Sequence, residues 1–227
     1  MSRVSDRLNR LSYSQTFVMS NKARDMKAAG IDVISLTLGE PDFDVPDNIK
    51  KAAFDAINEN YSHYSPVPGF LELRKAIVNK LKRDNNLDYK PTQICVANGA
   101  KQNIFNVLAA LVNEGDEVIL PAPYWVSYDE MVKINGGVSV FIETNIDTEF
   151  KMTAEQLEAA ITPKTKAVLY SSPCNPSGSY YTREELEKIA NVMAKYPDVV
   201  IISDEIYEFI NYDGEHVSIA EFPQVFN

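Results

Sequence analysis

Short apolar runs rich in β-branched residues alternate with longer stretches of helical periodicity through most of this chain, and that alternation permits few architectures. The clearest run is Val199, Val200, Ile201 and Ile202, which ends in Ser203 and Asp204. A continuous apolar run of this length, bounded by polar residues, is the pattern of a strand buried on both faces, as in a parallel sheet. Similar runs stand at 94–97, 117–120, 138–142 and 167–170, with helical patterns between them at 101–111, 125–134, 153–161 and 182–195. Thr153 with Gln156, and Thr182 with Glu185, have capping-box spacing and mark two of the helix starts. Strands that alternate with helices predict an α/β fold: a mostly parallel sheet with helices on both faces. The first part of the chain breaks this rhythm. Helices are expected at 16–29, closed by Gly30, and at 48–59 and 69–85, with a short strand at 33–36.

Bulk properties narrow the function classes. The 227 residues suffice for one large domain or two small ones. The net charge of −10 and the absence of a basic stretch argue against a nucleic-acid partner. No apolar run approaches the roughly 18 residues of a membrane span, and the charged N-terminus leads into no signal-like segment. Cys95 and Cys174 stand far apart in unlike contexts, which suggests reduced thiols and a cytoplasmic protein. Cys95, within an apolar run, is expected in the core, and Cys174, in a polar loop, near the surface. His63 and His216 have no metal-ligand spacing and read as structural.

Four segments just after expected strands hold the candidate chemistry. Gly99, Ala100 and Lys101 open a helix, where glycine admits close backbone approach and free N–H groups face an anion such as a phosphate. Asn98-Gly99 is also an ordinary turn, and the segment matches neither the P-loop nor the dinucleotide fingerprint. Pro121 and Pro123 stiffen a loop that holds Trp125, the only tryptophan; it reads as core, or as a flat face for an aromatic cofactor. Asn175 lies in a Pro- and Ser-rich loop, as a turn residue or as an amide donor. Asp204, at the carboxyl end of its strand, is placed where open α/β sheets bind ligands, and Tyr207 stands three residues later. A carboxylate beside a pyridine nitrogen would keep that nitrogen protonated.

Taken together, these residues resemble the pyridoxal-phosphate-dependent aminotransferases of fold type I, class I, in the aspartate aminotransferase group. The resemblance runs in order along essentially the whole chain. It implies that Gly99, Ala100 and Lys101 hold the phosphate of pyridoxal 5'-phosphate and that Trp125 stacks on its ring. Asp204 then pairs with the pyridine nitrogen, and Asn175 and Tyr207 with the ring oxygen. Residues 38–43 look like the family's glycine turn, with Gly39 at the substrate carboxylate beside Trp125 and Asn175. Residues 63–69 are similar to the segment whose tyrosine, here Tyr64, reaches the cofactor phosphate of a second subunit, which implies a homodimer. Phe17, Val18 and Met19 of the N-terminal arm would clasp that partner.

In the family it resembles, the Schiff-base lysine comes after the Asp–Tyr pair, yet the last lysine here is Lys195. That lysine is therefore expected beyond Asn227, along with the substrate-carboxylate arginines and most of the small domain. The chain then comprises an N-terminal arm with part of the small domain at 1–45 and an incomplete large domain at 46–227. The expected activity of the full-length parent is amino-group transfer between an amino acid, with aspartate first, and a 2-oxo acid. Prephenate or aromatic substrates are the nearest alternative, and a lyase or synthase of the same fold is another. A sensing domain of a regulator and a plain nucleotide-binding domain are the remaining readings. Lys101 or Thr16 would meet a distal substrate carboxylate.

Overall fold

The computed structural model describes residues 3–37 and 39–225. The chain divides into two compact units, one of Ser12–Val67 and one holding the residues up to Leu11 together with those from Pro68 onward.

The larger unit contains α3 (Leu71–Asn85), α4 (Ala100–Leu111), β1 (Glu117–Ala122), α5 (Ser127–Ile134), β2 (Val138–Glu143), α6 (Ala154–Ala160), β3 (Thr165–Ser171), α7 (Arg183–Met193) and β4 (Val200–Asp204). Its four strands form one parallel sheet in the order β2-β1-β3-β4. Side chains alternate across a strand, so odd and even positions enter different cores. Val118, Leu120, Ala167 and Leu169 pack with Ile104 and Leu108 of α4 and Tyr128, Met131 and Val132 of α5. Ile119, Val168 and Tyr170 pack on the opposite face with Leu157 of α6 and Leu186, Ile189 and Ala190 of α7. Burying each large aliphatic side chain contributes about 1.5–3 kcal/mol. The expected fold class is therefore the observed one, with helices covering both faces.

Both expected capping boxes form. Thr153 Oγ1 accepts from the Gln156 N–H, and Thr182 Oγ1 from the Glu185 N–H at 3.3 Å, each with the reciprocal bond from the glutamine or glutamate side chain. They satisfy helix-end N–H groups that would otherwise lack partners.

One expected strand is absent here. Residues 94–97 form no strand and pair with none of the four strands; the Val96 N–H bonds to the Pro68 carbonyl at 3.1 Å. An apolar run becomes a strand only where a ladder partner exists, and none of the described residues supplies one. Cys95 is exposed as a result, not in the core, while Cys174 is half-buried with its thiol 3.6 Å from the Pro123 carbonyl oxygen. The helix expected from Trp125 begins two residues later, at Ser127.

The smaller unit holds α1 (Gln15–Ala28) and α2 (Asp47–Asn58), close to their expected bounds. Residues 33–36 form no strand: Ile34 and Leu36 are exposed and no described residue of this unit pairs with them.

Candidate active site

The strand order fixes where a ligand can bind. The connection from β1 through α5 leads to β2 on one side, and the later strands β3 and β4 are added on the other. The chain therefore reverses direction across the sheet between β1 and β3, and the loops leaving their carboxyl ends splay to opposite faces. That divergence opens a crevice at the strand ends. A cavity of about 270 Å³ lies there, on the scale of small-ligand sites, and belongs wholly to the larger unit.

Each wall comes from a different loop. Gly99, with φ of +87°, caps α4, and no side chain caps the N–H groups of its first turn. A Cβ at Gly99 would meet no atom within 4 Å, so the glycine is required by its left-handed backbone and not by crowding. Ala100 and Lys101 continue the same wall. Trp125 comes just after β1, half-buried, and the Lys101 ammonium lies 4.9 Å from its ring centroid, in cation–π contact. Ser171 ends β3, and Asn175 stands in the loop after it. Asp204 ends β4, and Tyr207 lies on the next turn. Seven of the residues singled out from sequence thus line one cavity: Gly99, Ala100, Lys101, Trp125, Asn175, Asp204 and Tyr207.

Gly39 and Tyr64 belong to the Ser12–Val67 unit. Tyr64 is fully exposed, and a Cβ at Gly39 would meet nothing within 4 Å. Leu38, the first residue of the glycine-turn segment, lies outside the described residues. Thr16 lies in α1 of the same unit.

Asp204 is buried and doubly held. The Tyr128 hydroxyl donates to its Oδ2 at 2.7 Å, and the Ile206 N–H to its Oδ1 at 3.2 Å. Burial, and then the Asp204 carboxylate beside it, push the Tyr128 phenol well above the ordinary tyrosine range. Tyr128 consequently stays protonated and remains a donor to the acid. Its ring stands edge-on to Trp125, with centroids 5.5 Å apart. Tyr128 and Ser171 escaped the sequence reading. Tyr128 had no signal of its own in the sequence, since its partner Asp204 is 76 residues away, and Ser171 had none beyond its place at a strand end.

The donor set suits a phosphorylated, nitrogen-bearing aromatic group. An uncapped helix N-terminus, a buried carboxylate and an indole all line the one cavity. Ser171 Oγ is buried without a hydrogen-bond partner among the described residues. A buried polar atom left unpaired is costly unless something in the working protein meets it. Among the described residues no group of three histidine, cysteine, aspartate or glutamate side chains could hold a metal ion, and no helix is long and apolar enough to cross a membrane.

An aspartate aminotransferase from Bacillus sp. strain YM-2 is 51% identical over 97% of this chain and 56% of its own length. An aspartate/prephenate aminotransferase from Cereibacter sphaeroides is 51% identical over 94% of this chain and 53% of its own. Among solved structures, the aspartate aminotransferase from Rhizobium meliloti superposes with a TM-score of 0.96 at 41% identity, over 100% of this chain and 57% of that one. The Thermus thermophilus aspartate aminotransferase with maleate gives 0.93 at 41% identity, over 99% of this chain and 58% of that one. The chain thus spans little more than half the length of the relatives it matches. The family pattern described as aminotransferase class I and II matches residues 31–224, most of the chain, and the chain belongs to that family.

Proposed function

We propose that the full-length protein transfers an amino group between an amino acid and a 2-oxo acid through pyridoxal 5'-phosphate, with aspartate as the leading amino donor. The observation that carries this reading is the convergence of Gly99, Trp125, Asn175, Asp204 and Tyr207, from four separate loops, on one cavity at the sheet's switch point. The family relationship and the aspartate aminotransferase names of its relatives support the choice of chemistry.

When bound, the cofactor supplies an electron sink for the carbanion left as the substrate loses its α-proton. The residues of this chain would arrange the conditions for that. The first turn of α4, at Gly99 and Ala100, would receive the phosphate with its uncapped N–H groups. Asp204, kept in place by Tyr128, would hold a proton at the pyridine nitrogen. Asn175 and Tyr207 would donate to the ring oxygen and favour its anion. Trp125 would fix the ring plane by stacking, and with Asn175 would frame the substrate carboxylate. Lys101, already lying over the indole, would offer its ammonium to the phosphate or to a distal carboxylate. Tyr64 would complete the phosphate site of a second subunit, so we propose a homodimer. We place it in the cytoplasm, on the strength of two unpaired thiols.

The Schiff-base lysine is assigned to the part of the full-length protein beyond Asn227, since no lysine comes after Lys195 here. The 227 residues alone are then inactive. The test is borohydride reduction with pyridoxal phosphate: covalent labelling of the full-length protein and none of the 227-residue chain. Stable labelling of a lysine in this chain, with turnover, overturns the assignment. Prephenate is a second reading, favoured by the names of relatives such as that from Cereibacter sphaeroides. Aspartate is preferred as donor because both names include it, and because the Thermus thermophilus structure holds maleate, a four-carbon dicarboxylate. Competing 2-oxoglutarate against prephenate as acceptor separates the two readings. Release of ammonia or pyruvate without a matching amino product would point instead to a lyase.

A further inference from the structure

Tyr207 stands on a turn with little apolar support of its own. The Glu208 N–H donates to the Glu205 carbonyl at 3.0 Å and the Ile210 N–H to the Tyr207 carbonyl at 2.8 Å, while Ile206, Phe209 and Ile210 are exposed. A segment with so few buried contacts is loosely held unless something else ties it down. Two carboxylates do so, one on each side of Tyr207.

Glu205 is a hub. One of its oxygens accepts from Ser203 Oγ and from Ser218 Oγ, each at 2.9 Å, and the other meets His216 Nε2 at 3.1 Å. The His216 side chain is 9% exposed, and its neighbours Val217 and Ile219 belong to the core under α7. Glu208 reaches the other way, to α3. It accepts from Lys80 Nζ, and from Asn85 Nδ2 at 3.1 Å, while the Lys80 ammonium also lies 5.1 Å from the Phe209 ring centroid. Hydrogen bonds to charged acceptors in partly buried positions are the strong ones. None of these donors lines the cavity, so they can act on it only through the turn.

We infer that Glu205 and Glu208 are positioning residues, two clasps that fix the Tyr207 hydroxyl at the cofactor cavity. The inference rests on the cofactor reading proposed above. Its test is made on the full-length protein by titrating pyridoxal phosphate and tracking the pH midpoint of the bound cofactor's visible absorption. Tyr207→Phe provides the reference shift. His216→Ala and Lys80→Ala each open one clasp without touching the cavity. Each is expected to weaken cofactor binding about two- to tenfold, the scale of one misplaced hydrogen bond, and to move the midpoint in the direction Tyr207→Phe moves it. In the Tyr207→Phe background neither adds a further shift, because the hydroxyl they position is gone. Lys80→Arg, which keeps a cation, restores most of the loss. Wild-type affinity and midpoint in both clasp variants overturn the inference, as does an equal loss in the Tyr207→Phe background. Should His216→Ala fail to fold, Ser218→Ala removes another donor to Glu205, and should Lys80→Ala fail, Asn85→Ala removes the other donor to Glu208; both are read by the same criteria. A wild-type protein that binds no pyridoxal phosphate refutes the cofactor reading itself, an outcome distinct from loss or silence confined to the variants.

Discussion

Replacing Tyr128 by phenylalanine isolates the one hydrogen bond on which the position of Asp204 most depends. The substitution keeps the ring, its burial at 1% exposure and its edge contact with Trp125, and removes only the hydroxyl that donates to Asp204 Oδ2 at 2.7 Å. Asp204 is itself buried and keeps one other donor among those described, the Ile206 N–H at 3.2 Å. A hydrogen bond to a charged group contributes about 1.5–3 kcal/mol, and an open cavity lets water replace part of it. The expected cost is therefore about 2 kcal/mol in the cofactor-free protein. For a domain of this size that lowers Tm by roughly 4–8 °C. The assay is a double-mutant cycle of Tyr128→Phe with Asp204→Ala, read by denaturant unfolding. A true pairwise bond gives a coupling of at least about 1 kcal/mol. Additive losses, within the usual error of about 0.5 kcal/mol, would refute the claim that Tyr128 holds the acid.

Further expectations concern pH, helix ends and the glycine at the cavity. Burial raises the phenols of Tyr128, Tyr170 and Tyr181 far above their unfolded value of 10.0, so above that pH the unfolded chain releases protons that the folded one retains. Their stabilising contribution is complete below about pH 10 and is lost as pH rises, at about 1.4 kcal/mol per pH unit for each tyrosine; alkaline unfolding of Tyr128→Phe should show a slope smaller by one proton. Thr182→Ala removes the cap of α7 and should cost about 1 kcal/mol, measured as a shift in urea midpoint at constant m. Leu186→Ala, on the buried face of the same helix at 1% exposure, should cost about 2–5 kcal/mol in the same measurement. Gly99→Ala meets no steric obstacle but must hold a φ of +87°, so it should cost about 1–2 kcal/mol and weaken pyridoxal phosphate binding in a titration of the full-length protein.

Much of this architecture was legible because local and long-range signals agreed. The runs at 117–120, 138–142, 167–170 and 199–203 have partners within the chain, and each became a strand. The runs at 33–36 and 94–97 have the same composition and did not, since periodicity reports burial preference and says nothing of whether a ladder partner is present. Cys95 went astray for that reason: its expected burial was inherited from a strand that does not form. At the cavity, Gly99, Trp125, Asn175 and Asp204 could be picked out because each has an uncommon residue type just after a strand or an apolar run. Tyr128 could not, because what makes it matter is Asp204, 76 residues away, and an amphipathic helix offers many tyrosine-compatible positions on its buried face.

The acid's placement depends on sheet register more than on any loop. Ser171 pairs with Asp204, Leu169 with Ile202 and Ala167 with Val200. Ala167 and Leu169 face the α4–α5 core, and Ile202 packs against that same core, while Ile201 packs against the other. Alternation then carries Asp204, two residues after Ile202, onto the α5 side, where Tyr128 and Trp125 stand. A slip of β4 by one residue would turn Asp204 toward the α6–α7 core and bring Ser203 or Glu205 to the cavity instead. Such a slip would also exchange the faces of Ile201 and Ile202 and break the pairing of the whole strand. The apolar residues that make β4 a strand are thus what hold its terminal carboxylate on the side where it can act, and the buried hydroxyl of Tyr128 is the matching half of that arrangement.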